Sequence, residues 1–152
     1  MGIESTWTTP IRRLEGIAYW VIENPEAIRD FINTDVRKEW EADARSEYGD
    51  PKHDLWLKTL TRRKWRLEVM DIARIKLDPD IMNYVDPKRR YVFSKSLKKR
   101  SAELRHSIAV GAVVLSPLIV RNEDIQLVDG YSRYTALNAM SVPRTYAYSG
   151  SL

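Results

Sequence analysis

The 152-residue sequence contains no cysteine. Disulfides, thiol nucleophiles and thiolate metal ligands are excluded, and a cytoplasmic location fits this composition. Histidine is nearly absent as well. Only His53 and His106 offer imidazole nitrogens, so a structural zinc site is not expected. No stretch approaches the roughly 18 apolar residues that span a bilayer. The longest candidate, residues 108–120, is interrupted by Gly111, Ser116 and Pro117. The N-terminus lacks a Lys/Arg region followed by an apolar core, so neither a secretory signal nor a membrane partner is expected. No repeat of solenoid length is visible.

What is present is charge, unevenly placed. Residues 1–64 carry 11 Lys/Arg against 12 Asp/Glu, and residues 65–152 carry 14 against 9. The formal net charge of +4 therefore resides in the second part. Its densest run is Lys88, Arg89, Arg90, Lys95, Lys98, Lys99, Arg100 and Arg105, offset by Glu103. Such a cluster suits phosphates on nucleotides or nucleic acid; the plainer reading is a solvated helix face with its loop.

Residues 1–64 read as short helices, each with a start signal. Thr9–Pro10 and Asn24–Pro25 place a capping side chain before a proline. Ile11, Leu14, Ala18, Val21 and Ile22 follow helical spacing, and Thr34 or Asp35 is placed to cap a third helix carrying Val36, Trp40, Ala44 and Tyr48. Gly49 ends it, and Asp50–Pro51 opens a fourth with Leu55, Trp56 and Leu60. All five tryptophans, Trp7, Trp20, Trp40, Trp56 and Trp65, precede residue 66. Packing is the favoured use, with stacking on bases the alternative. A helix-turn-helix reading meets an obstacle. The third helix carries Asp35, Glu39, Glu41, Asp43 and Glu47, which phosphates would repel.

Residues 65–152 alternate strand and helix. Strands are expected at residues 66–75, 113–115, 117–120, 125–128 and 144–148. One helix is capped by Ser94 or Ser96, with Leu97, Leu104 and Ile108 inward, and another spans residues 131–140. The expected fold class is α+β, a small mixed sheet with packed helices. Within it, Asp129–Gly130–Tyr131–Ser132–Arg133 joins a strand to a helix start. The free amides there, the positive end of the dipole, the Ser132 hydroxyl and the Arg133 guanidinium are the parts of an anion site. An ordinary strand-to-helix turn, with Asp129–Gly130 chosen for geometry, is the alternative.

An ordered series of motifs in residues 67–148 resembles the N-terminal domain of the ParB/sulfiredoxin superfamily. Val69–Met70–Asp71–Ile72–Ala73–Arg74–Ile75 resembles its opening strand. Leu104–Arg105–His106–Ser107–Ile108 with Gly111 resembles the helix ending "L-x-x-S-I-x-x-x-G", and Pro117–Leu118–Ile119–Val120 resembles the "P-I-x-V" strand. Leu127 to Leu137 resembles the phosphate-binding box, and Val142–Pro143 precedes the closing strand. The resemblance implies a 65–152 domain of that fold behind a 1–64 helical extension.

It also implies chemistry, branch by branch. Sulfiredoxins use a cysteine directly after the box glycine; Tyr131 stands there, so that activity is excluded. Free serine kinases of this fold carry "D-G-H-H-R". Asp129, Gly130 and Arg133 match, while Tyr131 and Ser132 replace both histidines. Asp80 falls near the place of the kinase's catalytic acid. ParB proteins carry "G-E-R-R-x-x-A" and bind CTP; Gly130, Arg133 and Ala136 match, and the acidic residue and first arginine do not. The resemblance thus implies a nucleotide or phosphorylated ligand held by Gly130, Tyr131, Ser132 and Arg133. Mg²⁺ would arrive with the nucleotide, and Asp80 and Asp129 are the candidate catalytic pair should phosphoryl transfer or NTP hydrolysis follow. The alternative is a DNA-associated regulator or nuclease-like protein using Lys88, Arg89, Arg90, Lys95, Lys98, Lys99 and Arg100 on the phosphate backbone.

Overall fold

The computed structural model describes residues 10–152. The first described segment corrects the sequence expectation. Ile11–Leu14 (β1) and Ile17–Trp20 (β2) form an antiparallel hairpin instead of a helix; Thr9 lies outside the described residues. Glu15 and Gly16 both take positive φ, 53° and 75°, the pair of angles that a two-residue hairpin turn requires. Ile17 and Tyr19 are buried and their neighbours are not. The period-two alternation of Ile17 and Tyr19 prevailed over the 3.6-residue stripe of Ile11, Leu14, Ala18, Val21 and Ile22.

The next helix starts as expected. Asn24 Oδ1 accepts from the amides of Glu26 and Ala27 at 2.9 and 3.0 Å, and Pro25 sits where no donor is needed, opening α1 (Pro25–Phe31). The chain does not restart at Thr34 or Asp35. The Thr34 hydroxyl bonds back to the Asp30 carbonyl at 2.6 Å rather than forward as a cap. A π-helical turn, Ile32–Val36, carries the chain directly into α2 (Arg37–Ala44). Asp50 then accepts the Lys52 amide at 2.9 Å ahead of α3 (His53–Thr59).

The main sheet holds four strands, β3 (Lys64–Asp71), β4 (Leu118–Arg121), β5 (Gln126–Asp129) and β6 (Arg144–Ser151), in the order β3-β6-β4-β5. The β3/β6 and β4/β5 pairs are antiparallel and β4/β6 is parallel. This is the expected α+β mixed sheet, with local differences. The first strand stops at Asp71, where Ile72–Arg74 tightens into a 3₁₀ turn. Residues 113–115 form no strand; Leu115 alone bridges to Tyr19. Three helices complete the unit: α4 (Pro79–Met82), α5 (Phe93–Ala109) and α6 (Tyr131–Ala139). The α5 helix begins after Val92 with no side-chain cap, because Phe93 is drawn into the core at 4% exposure. Among the described residues no helix is long and apolar enough to cross a membrane.

One apolar cluster joins the two parts of the chain. Ile28, Trp40 and Trp56 share it with Leu118, Leu127 and Tyr148. The Tyr148 hydroxyl, on β6, accepts the Ile22 amide at 3.0 Å, and that of Tyr19 meets Thr145 Oγ1 at 3.0 Å. Trp40, Trp56 and Trp65 are buried and Trp20 packs at the margin, so packing is what these indoles do. Trp7 lies outside the described residues.

Gly150 shows how close the packing is. A Cβ there would stand 2.6 Å from Trp65 Cη2, nearer than two carbons approach. Gly150→Ala should cost about 2 kcal/mol through overpacking, lowering the melting temperature by about 4–8 °C for a chain of this size. An unchanged melt would show that the indole moves aside freely.

Candidate functional site

The candidate site is built where β5 turns into α6. Gly130 takes φ +105°, and a Cβ there would lie 2.6 Å from Leu118 Cδ2 and 2.8 Å from Arg133 Nη2. Both angle and space call for glycine. The first intrahelical bond runs from the Tyr134 amide to the Gly130 carbonyl at 2.8 Å. No side chain among the described residues caps α6. The amides of residues 131–133 are thus free donors at the positive end of the helix. Above them Arg100 Nη1, from α5, donates to Ser132 Oγ at 3.0 Å. Arg100 Nε rests on Ser96 Oγ at 3.1 Å, and the guanidinium lies 5.6 Å from the Phe93 ring.

The predicted box residues divide by role. Ser132 faces Arg100 at the opening. The Tyr131 side chain points into the core at 3% exposure. Its hydroxyl donates to the Leu127 carbonyl at 3.1 Å and accepts the Asp78 amide at 3.2 Å. Burial pushes this phenol well above its usual range, so Tyr131 offers the site its backbone amide and not its ring. Arg133 folds beneath the helix start rather than over it. Nη2 donates to the Pro117 carbonyl at 3.3 Å and stands 3.7 Å from Asp129 Oδ2.

Asp129 is the centre of a charged cluster. Lys52 Nζ and Trp40 Nε1 each donate to Oδ1 at 3.3 Å, and Arg133 flanks Oδ2. The Asp129 side chain is 17% exposed and that of Lys52 15%. Burial alone would raise this carboxyl. The charges of Lys52 and Arg133, with the hydrogen bonds from Trp40 and Lys52, outweigh that and hold it below the usual carboxylate range. Asp80 is elsewhere. It is exposed in the first turn of α4, its amide bonded to Asp78 Oδ1 at 2.9 Å, and no hydrogen bond or ion pair joins it to the Asp129 cluster.

Sequence reasoning missed Lys52 and Trp40 as members of this site. Trp40 carried a signal for burial only. Lys52 follows Asp50–Pro51, a turn signature silent about a partner far along the chain. Together with Arg100, Lys52 lines a cleft of about 200 Å³ that Asp43, Asp50, Tyr91 and Phe93 also border. Burial raises the Asp43 carboxyl, with nearby Lys52 opposing. Among the described residues no three His, Asp or Glu side chains are grouped to hold a metal ion. Both oxygens of Asp129 face cations, so a Mg²⁺ arriving with a nucleotide would be held by the phosphates, with no carboxylate to spare at Asp129.

The basic run does not form one patch. Arg90 is engaged, 3.6 Å from Glu47, 4.0 Å from Asp86 and 5.4 Å from the Tyr48 ring centre. On α5, residues two apart point about 160° from each other. Arg100 therefore reaches the α6 start while Lys98 faces the other flank with Arg105. Lys88, Arg89, Lys95 and Lys99 are exposed.

No family model and no curated protein matches this sequence. Solved structures give a loose likeness. A pNOB8-like ParB N-domain is 18% identical with a TM-score of 0.42, covering 59% of this chain and 30% of that one. Sulfiredoxin from Arabidopsis thaliana is 18% identical with a TM-score of 0.38, covering 55% and 82%. The C-terminally truncated chromosome-partitioning protein ParB from Caulobacter crescentus, complexed with CTP-gamma-S, is 21% identical with a TM-score of 0.36, covering 57% and 44%. This chain thus spans under a third of the first ParB chain and under half of the second.

The Asp129 cluster makes a pH-dependent prediction. Asp129→Asn strands two mostly buried cations and should cost about 3 kcal/mol at pH 7. A carboxylate whose pKa is depressed on folding contributes fully above its unfolded value, near 3.9, and loses that contribution as pH falls through the folded value. The difference in urea stability between wild type and variant should therefore narrow below about pH 4. A gap that stays constant or widens on acidification would contradict the assignment.

Proposed function

We propose that this protein binds a phosphate-bearing ligand, of the nucleotide class, at the start of α6. The observation that carries the reading is the Arg100–Ser132 hydrogen bond in the first turn of α6, whose amides meet no acceptor among the described residues. A phosphate seated there receives backbone N–H groups, the Ser132 hydroxyl and a guanidinium in charge-assisted contact. Lys52, paired with Asp129, borders the neighbouring cleft that Arg100 also lines. In this reading Arg133 serves from below, fixing the Asp129–Gly130 turn that aims the amides. Asp129, neutralised by two cations, shapes the site rather than acting as a free base, and exposed Asp80 takes no part in binding.

Thermal shift tests it. Inorganic pyrophosphate and the four ribonucleoside triphosphates, each with and without Mg²⁺, should raise the melting temperature for at least one ligand. A ligand at about 100 times its dissociation constant adds roughly 2.7 kcal/mol of apparent stability. Arg100→Ala combined with Ser132→Ala should remove that gain while the unliganded melt stays within about 1 kcal/mol of wild type, since Arg100 is exposed. A shift that survives the double variant would place the ligand elsewhere.

A second reading, binding to a nucleic-acid backbone, is favoured by one observation. Lys88, Arg89, Lys95 and Lys99 are exposed and have no ion-pair partner among the described residues. Affinity for duplex DNA should then fall with salt at a log–log slope of about −0.9 per neutralised phosphate, and removing Lys88, Lys95 and Lys99 together should flatten the slope by up to about three units. Electrophoretic mobility or anisotropy titrations at several salt concentrations measure this. No binding at low salt leaves these residues as a solvated face.

A further inference from the structure

The flank of α5 turned away from Arg100 carries a feature that the anion site does not use. Between α5, α6 and α4 runs an open groove of about 440 Å³. Leu77, Met82, Leu97 and Tyr134 form its floor, and Lys98 and Arg105 stand on its rim. Leu97 is 2% exposed, while Leu77, Met82 and Tyr134 are only half-buried, so apolar surface is left open. No acidic side chain lines the groove. Neither rim cation has an ion-pair partner among the described residues. From Ser94 to Arg105 the lined length of α5 is about 16 Å, three turns of helix.

We propose that this groove docks an acidic amphipathic helix of a partner protein. Lys98 and Arg105 are seven residues apart, which is two turns or about 10.5 Å along the axis. Two acidic residues seven positions apart on a docked helix have the same separation. Apolar residues three and four positions from those acids then face the floor, the pattern of helix-in-groove recognition. Small side chains at Ser94, Ser101 and Ala139 along the walls let a backbone come close. A basic or neutral helix would leave both rim cations unpaired over an apolar contact, so the rim selects by charge. This docking face is independent of ligand binding at the α6 start, because Arg100 and Lys98 lie on different flanks of α5.

The test uses the full chain and two fluorescent helical peptides of about 15 residues with leucine at positions 1, 5, 8 and 12. One carries glutamate and the other lysine at positions 4 and 11. By anisotropy at about 50 mM salt, the glutamate peptide should bind about tenfold more tightly than the lysine peptide. Its affinity should fall on raising the salt. Lys98→Glu combined with Arg105→Glu should reverse the preference. Both residues are exposed, so thermal melts of the double variant should match wild type, and any loss of binding is then not loss of fold. Arg100→Ala should leave peptide binding unchanged. No binding of either peptide, equal binding of both, or a preference that survives the charge reversal would overturn the proposal. So would a dimer in sedimentation that the glutamate peptide fails to dissociate, since a second copy would then own the groove.

Discussion

The Asp129 carboxylate, held between Lys52, Arg133 and Trp40, is the interaction on which the arrangement of this protein turns. It sits at the end of β5, one residue before the glycine that starts α6, and its partners come from α2, the turn before α3, and α6. An ionised group this enclosed costs several kcal/mol in desolvation unless paired. Pairing it with both Lys52 and Arg133 fixes where the residues before 64 lie relative to the sheet. The neighbouring apolar contacts, Trp40 stacked on Trp56 at 5.8 Å with Ile28 in the same core, supply area without direction. The ion cluster supplies the direction.

That arrangement explains why a helix start with unfilled donors persists. The Asp129 side chain, one residue before the Gly130 cap, is turned toward the cations instead. Arg133 is drawn the same way, to Asp129 and the Pro117 carbonyl. What remains at the opening are the amides, Ser132 and the arginine arriving from α5. A site whose own acidic neighbour is neutralised by internal cations has less local repulsion for an incoming anion. Its positive groups are also held in place before any ligand comes, which lowers the entropy lost on binding.

Much of this was legible in the sequence, and the parts that were not share a cause. The Asn24 cap, the Gly130 helix start, the β4 and β5 strands and the inward stripe of α5 are local signals, each written within a few residues. The hairpin of β1 and β2 was not legible because Ile11, Leu14, Ala18, Val21 and Ile22 fit a helical stripe, while the alternation that prevailed, Ile17 and Tyr19, spans only two buried residues. The continuous run from α1 through the π turn was hidden because Thr34 is as good a cap on paper as it is a back-bonding side chain in fact. Lys52 could not be read into the site, since only the folded chain brings it to Asp129. The basic run from Lys88 to Arg105 looked like one patch because a sequence has no sides, whereas a helix sends Lys98 and Arg100 apart.

The order of the sheet has a consequence for how the chain is made. β6, the last strand in the sequence, lies inside the sheet between β3 and β4. Until it emerges, β3 has no neighbour to pair with and the β4–β5 hairpin has nothing beside it. Tyr148 and Gly150, which receive Ile22 and Trp65, arrive on that same strand. Such long-range closure slows folding and leaves unpaired strand edges exposed while it is pending. Vectorial synthesis therefore gives this protein little head start. The joining of β3 to the β4–β5 hairpin waits for residues 144–151 to emerge, because β6 alone pairs with both.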